Sequence, residues 1–277
     1  MRKQKPALLL LCAALMCSIG GVCIRLSPWP PLAINGGRGI IAAGVTFAYL
    51  FASHHRLRLN AAILQSAVSL CLTMYLYVLC AKLTSAANAI LLMYTSPIFV
   101  MLYMCLVKKQ KPRRKEIYTT VLVLGGIVFF VLDGLKLGNI IGDIIGIASG
   151  CAYAGVFLVN TGKSADAMSS YFYGQLLAGL IGLPSLISQT NYSLVPVLTI
   201  ILLGVFQLGL SYILMAKGMQ NTQPITASLI TCIEPIFSPI WVLLICREGM
   251  SAQSLVGAVM VISGVILSAV LQTKNKY

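Results

Sequence analysis

Apolar residues in this chain come in long unbroken runs separated by short polar gaps, with little of the alternation that marks an amphipathic surface element. Ten such runs can be drawn: Ala7 to Ile24, Leu32 to Ser53, Ala61 to Cys80, Ser85 to Val107, Ile117 to Leu132, Asn139 to Asn160, Ala167 to Leu186, Val195 to Ala216, Thr222 to Cys246 and Ala252 to Leu271. Each is close to the roughly 20 residues that a helix needs to cross a bilayer. Backbone groups in lipid must be satisfied within their own segment, so spans of this length predict helices. The expected fold is an all-α polytopic membrane protein with ten transmembrane helices. No gap between runs is long enough to hold a soluble domain. The first run follows MRKQK and at first sight resembles a signal peptide; with no small-x-small cleavage site before Trp29, it is read as the first transmembrane helix.

Composition agrees with the runs. Of 277 residues, 58% are hydrophobic and 9% charged, and the mean hydropathy is +0.91. A soluble domain carries about 25% charged residues, so this chain lacks the polar surface to cover itself. The net charge of +14 raises the question of nucleic acid, but the cations sit in the gaps between spans and form no groove, so no nucleic-acid partner is expected. Placed on a ten-span path, fifteen Lys and Arg fall on one side, including the cluster Lys108 to Lys115, and four (Arg25, Lys82, Lys136 and Arg247) on the other. The positive-inside rule then puts both termini in the cytoplasm. His54 and His55 fall in a cytoplasmic gap and read as solvated loop residues. The nine cysteines lie mostly within apolar runs and show no CxxC pair or Cys/His cluster, so no metal and no disulfide framework is expected.

Shifting the chain by 138 positions lays Thr84–Leu132 over Thr222–Val270 without a gap. Ala89 then meets Ala227, Leu91 meets Leu229, Pro97-Ile98-Phe99 meets Pro235-Ile236-Phe237, and Gly126 meets Gly264. Ser96 stands where the second copy has Glu234. The chain therefore divides into a first unit, residues 1–133 (helices 1–5), and a second, residues 134–277 (helices 6–10). Five is odd, so the two five-helix units enter the membrane from opposite sides and form inverted repeats. That architecture belongs to alternating-access transporters, with a substrate site near the midplane between repeats. Pro97 and Pro235 interrupt the helices at matching places, where freed backbone groups can face a cavity.

The segments KLTSAANAILLMYTSPIF (Lys82 to Phe99) and PITASLITCIEPIF (Pro224 to Phe237), with PPLAINGGRGIIAA (Pro30 to Ala43) and GDIIGIASGCAYA (Gly142 to Ala154), resemble the EamA family of the drug/metabolite transporter superfamily over nearly the whole chain. The resemblance implies ten helices in two inverted EamA repeats and transport of small metabolites across a bacterial inner membrane. Two departures stand out. Gln110 replaces the acidic residue usual after the fourth helix, and Ile19 stands near the place of a tryptophan often found in the first.

Glu234 is the leading candidate for chemistry. A carboxylate in the middle of a span is expensive and is commonly functional. It can pair with an amine-bearing substrate or take part in proton coupling, and the alternative is a structural hydrogen bond to a neighbouring helix. Arg38 lies about 9 Å inside helix two at 1.5 Å per residue. Two readings are open for it: a bidentate grip on a substrate carboxylate, or a structural role, snorkelling to the headgroups or bridging carbonyls. Tyr94, Ser96, Tyr153, Gln207 and Trp241 complete the substrate-binding or coupling set, with Pro97 and Pro235 as helix breaks. Gly142, Gly146 and Gly150 read as a close-packing stripe, and Asp143 as a helix cap.

These residues predict a secondary-active transporter of small polar metabolites, amino acids or related amines first, because Glu234 and Arg38 answer an amine and a carboxylate. No G-x-x-x-x-G-K-[ST] occurs, so a proton or substrate gradient is the expected energy source and no cofactor is expected. An enzyme would need His, Asp or Cys clustered at one depth, which the sequence lacks. A lipid or lipid-linked flippase and a quaternary-amine or nucleoside permease are the alternatives. The partners expected are the substrate and the bilayer, with a homodimer as an open oligomeric state.

Overall fold

The computed structural model describes residues 5–84, 86–131, 140–162, 165–190, 192–220, 222–237, 256–257 and 259–267. Among them every regular element is helical: α1 Lys5–Cys17, α2 Gly20–Leu26, α3 Pro31–Ala52, α4 Ala61–Leu83, α5 Ala86–Met93, α6 Ser96–Leu106, α7 Arg114–Val131, α8 Ile140–Asn160, α9 Ala167–Ile187, α10 Leu194–Leu202, a π-helical stretch Leu203–Leu210, α11 Ser211–Met219 and α12 Pro224–Thr231. Among the described residues six helical segments are long and apolar enough to cross a membrane: Pro6–Leu26, Ala61–Leu83, Asn88–Leu106, Ile140–Asn160, Ala167–Ile187 and Leu194–Met219. With 22 residues, α3 has the same length but carries Asn35, Gly36, Gly37, Arg38 and Gly39 in its first half, which lowers its hydropathy. The chain is thus an all-helical, multi-pass membrane protein. Its outward faces bear Phe51, Leu106, Val121 and Ile144, all well exposed, an apolar surface suited to lipid.

A helix break falls just before each of the two expected prolines. Tyr94 and Thr95 separate α5 from α6, and Cys232 and Ile233 separate α12 from the helical turn Glu234–Phe237. Pro97 and Pro235 each occupy the first turn after the break, where a missing N–H costs least. A third break, at Ser18–Ile19, has no proline. There Ser18 Oγ donates to the Leu15 carbonyl at 2.6 Å, and Gly20 and Gly21 follow, so local competition for the backbone and two weak helix formers divide the first span.

Small residues set the helix spacing. A Cβ on Gly36 would lie 2.5 Å from the Gly182 carbonyl oxygen, and one on Gly39 2.7 Å from the Gly179 nitrogen, so α3 and α9 touch backbone to backbone. The expected stripe on α8 does the same work. Gly146 faces Leu92 and Cys80, and a Cβ on Gly150 would lie 2.5 Å from Thr95 Oγ1 and 2.8 Å from the Leu92 carbonyl. Gly150 therefore seats α8 against the break between α5 and α6. Asp143, in the first turn of α8, accepts a hydrogen bond from Asn88 of α5, tying the same two helices together.

One loop reading changes. His54 and His55 are exposed, but His55 is more than a solvated residue, because its Nε2 lies 2.7 Å from Asp166 Oδ2. Asp166 caps α9, accepting from the Met168 N–H at 3.3 Å and from Ser169 Oγ at 2.6 Å, while the Arg58 N–H donates to Ser169 Oγ at 3.1 Å. Burial alone would raise the Asp166 carboxyl. Hydrogen bonds from Ser169 and His55, the His55 charge and the Met168 N–H outweigh it and hold the group below its ordinary value. The partner is 111 positions away, beyond the reach of a local reading. The six cations between Lys108 and Lys115 are all exposed.

Candidate functional site

A narrow cavity of about 30 Å³ lies where the broken spans converge, well below the roughly 300–1,000 Å³ of small-molecule sites. Six lining residues precede residue 132: Cys17, Arg38, Thr73, Met74, Tyr77 and Met93. Five follow residue 140: Tyr153, Gln207, Leu208, Tyr212 and Glu234. Both halves of the chain therefore build the wall.

An arginine and a carboxyl side chain face this space. Glu234 is 6% exposed and Arg38 1%, so Arg38 does not snorkel. Among the described residues neither has an oppositely charged side chain within 4.0 Å. Each is held by neutral groups instead. Tyr94 Oη donates to Glu234 Oε2 at 2.6 Å, and the Tyr94 ring meets Tyr153 edge-on at 6.3 Å. Because Tyr94 is itself a residue of the first break, the two breaks meet through this bond.

Arg38 is gripped from two sides. Asn35, one turn earlier on α3, accepts from Nε at 2.9 Å and from Nη2 at 2.7 Å with the same Oδ1. Nη1 donates to Gln207 Oε1 at 3.2 Å, and Nη2 to the Met74 carbonyl at 3.3 Å. Gln207 stands in the π-helical stretch, an irregularity often found at functional sites. Its carbonyl takes Cys17 Sγ at 3.5 Å and a hydrogen bond from Ser211 Oγ. Its amide lies against Gly20, where a Cβ would come within 2.6 Å of Nε2.

The other expected residues divide clearly. Tyr153 and Gln207 line the cavity. Ser96 is buried, stands outside the lining, and its Oγ finds no hydrogen-bond partner among the described residues. Pro97 and Pro235 follow the breaks. Trp241 lies outside the described residues. Two further mid-span polar residues are structural: Tyr75 Oη donates to the Ala178 carbonyl at 2.8 Å, and Gln175 links Thr46 of α3 to the Leu208 carbonyl. Sequence reasoning missed Asn35, Tyr77, Tyr212, Cys17, Thr73, Met74, Met93 and Leu208. Of these only Asn35 carried a signal, a buried amide one turn from a buried arginine.

Convergent broken helices around a cavity lined by both an arginine and a glutamate define a multi-pass membrane protein with a polar cavity between its halves. Comparison with known proteins places it more narrowly. The model of the EamA-like transporter family matches residues 4–132 and again 140–270, and the chain belongs to that family. It is 24% identical over 198 residues to an uncharacterized transporter of Clostridium kluyveri, a match covering 67% of this chain and 64% of that protein. A crystal structure of a protein with 16% sequence identity superposes with a TM-score of 0.79, covering 96% of this chain and 98% of the other, and so shares the fold.

Proposed function

We propose that this membrane transporter moves small polar metabolites, zwitterionic amino acids first and related amines second, by alternating access. The observation that carries the reading is the pair Arg38 and Glu234, both buried in one cavity and neither neutralised by the other. Unpaired charges in a low-dielectric interior are costly, and a ligand bearing an ammonium and a carboxylate satisfies both. Arg38 receives the carboxylate and Glu234 the amine, with Tyr94 orienting the Glu234 carboxylate. Tyr153, Tyr77 and Tyr212 form the wall against the rest of the ligand.

In this reading the units 1–133 and 134–277 are inverted repeats of five helices that rock about the cavity. The breaks at Tyr94–Thr95 and Cys232–Ile233, 138 positions apart, support it. Ten spans place both termini in the cytoplasm of a bacterial inner membrane, by the cation count. The protein acts as a carrier rather than an enzyme, driven by a proton or substrate gradient.

A thermal-shift screen of purified protein against amino acids, amines, nucleosides and quaternary ammonium compounds tests the proposal. A zwitterion is expected to stabilise the wild type and to lose that effect in Glu234→Gln. Stabilisation of both proteins by the same compound removes Glu234 from the site. Stabilisation by lipids alone favours a flippase.

A further inference from the structure

We propose that Gln207 is an exchangeable ligand of Arg38, a neutral stand-in that a substrate carboxylate replaces. The inference rests on the reading that the cavity receives a carboxylate-bearing ligand, and it concerns the event that admits one.

The guanidinium is held unequally on its two sides. Asn35 takes the Nε side through one oxygen at 2.9 and 2.7 Å and is not part of the cavity wall, so it anchors Arg38 from behind. The Nη1 bond to Gln207 and the second Nη2 bond, to Met74, are 3.2 and 3.3 Å, and both partners line the cavity. Bonds from an arginine to a carboxylate run about 2.7–2.9 Å and are roughly twice as strong as neutral ones. The long bonds on the cavity side are therefore the ones that a bidentate carboxylate exchanges, while the Asn35 anchor stays in place.

The surroundings of Gln207 fit a side chain that moves. It stands on π-helical backbone between α10 and α11, and Ser211 Oγ and Cys17 Sγ both engage its main-chain carbonyl rather than its amide. The backbone carbonyl is held twice, whereas the side-chain tip shows only the long 3.2 Å bond from Arg38 among the described residues. Across from the tip the chain has Gly20, immediately after the break in the first span. A methyl group there would press on Nε2 at 2.6 Å, on Cδ at 3.0 Å and on Cγ at 3.3 Å. Gly20 thus gives the amide the room it occupies, at the point where the first span is already interrupted. The stand-in also gives specificity: a ligand without a carboxylate gains nothing by displacing Gln207, so Arg38 stays closed to it.

Two substitutions move the prediction in opposite directions. Gln207→Leu keeps the size and removes the acceptor, so leucine binding tightens by about tenfold while isoamylamine, the same skeleton without the carboxylate, is unchanged. Gln207→Glu gives Arg38 a permanent carboxylate, so leucine binding is lost and isoamylamine binding is kept. A purely structural Gln207 predicts that both variants weaken both ligands equally, and that result overturns the proposal. Should neither ligand stabilise the wild type, the zwitterion reading fails, and Gln207 is still tested by phenylglyoxal labelling followed by mass spectrometry, with exposed Arg56 as the internal standard. Adduct formation at Arg38 should accelerate in Gln207→Leu and slow in Gln207→Glu. Unchanged labelling in both variants refutes the exchange.

Discussion

The two broken spans share a Pro-Ile-Phe stretch, each within a half of the chain that matches the same family model, and they do different work. At the first, Tyr94 and Thr95 interrupt the helix and Ser96-Pro97 restarts it; at the second, Cys232 and Ile233 interrupt it and Glu234-Pro235 restarts it. The backbone outcome is shared because the proline is shared. The chemistry is not. Ser96 is buried outside the cavity with a hydroxyl that has no partner among the described residues, whereas Glu234 faces the cavity and takes the Tyr94 hydroxyl at 2.6 Å. The first break thus donates a hydrogen bond, and the second carries the charge that receives it. The duplicated break supplies the place where helices part, and single substitutions within it decide which copy holds an ion.

That contrast can be broken most severely by giving the first copy the second copy's acid. Ser96→Glu buries a carboxylate where the wild-type hydroxyl already lacks a partner, so it should destabilise the protein by several kcal/mol, on the order of 3 or more. Thermal unfolding in detergent reads this directly, and an unshifted midpoint would mean that position 96 has a hidden partner. Next in size is Tyr94→Phe, which removes the hydrogen bond from Tyr94 to Glu234 that joins the breaks. A bond to a charged group contributes about 1.5–3 kcal/mol, so ligand affinity should fall by about tenfold or more in a binding titration, with the helices intact by circular dichroism.

How much of this was legible beforehand follows from where each signal lives. Lipid demands long apolar helices, so segments such as Ala61 to Cys80 and Ala167 to Leu186 announced α4 and α9 within a few residues. Pro97 and Pro235 announced their breaks because proline acts on its own backbone. The break at Ser18–Ile19 and the π-helical stretch had no comparable residue to announce them. Glu234 stood out as a lone acid in an apolar run, but the burial of Arg38, which excludes snorkelling, depended on Asn35, Gln207 and Met74 closing round it. Tyr77 and Tyr212 look like any other interfacial tyrosines until helices far apart in sequence bring them to one wall.

Smaller effects sharpen the comparison further. Ser96→Ala removes a hydroxyl that has no partner among the described residues, so stability should change by no more than about 0.5 kcal/mol, with any shift upward. A loss of ligand binding in that variant would give Ser96 a role it lacks in this account. Away from the breaks, Asp166 sets the smallest effect. Its carboxyl is held below the ordinary value of 3.8, so the folded state favours the ionised form. That contribution is present above the unfolded value and fades as pH falls through the folded one. Melting curves of wild type and Asp166→Ala should differ near neutrality and converge below about pH 4.

The central claim is that Glu234, and not its counterpart at 96, holds the substrate where the two breaks meet. Counterflow exchange of a radiolabelled amino acid in proteoliposomes, one that stabilises the wild type, tests it most directly in Glu234→Gln and Ser96→Ala side by side. The account predicts exchange abolished in Glu234→Gln, which replaces the carboxylate by a neutral amide of the same shape, and retained in Ser96→Ala. Undiminished exchange in Glu234→Gln would contradict it.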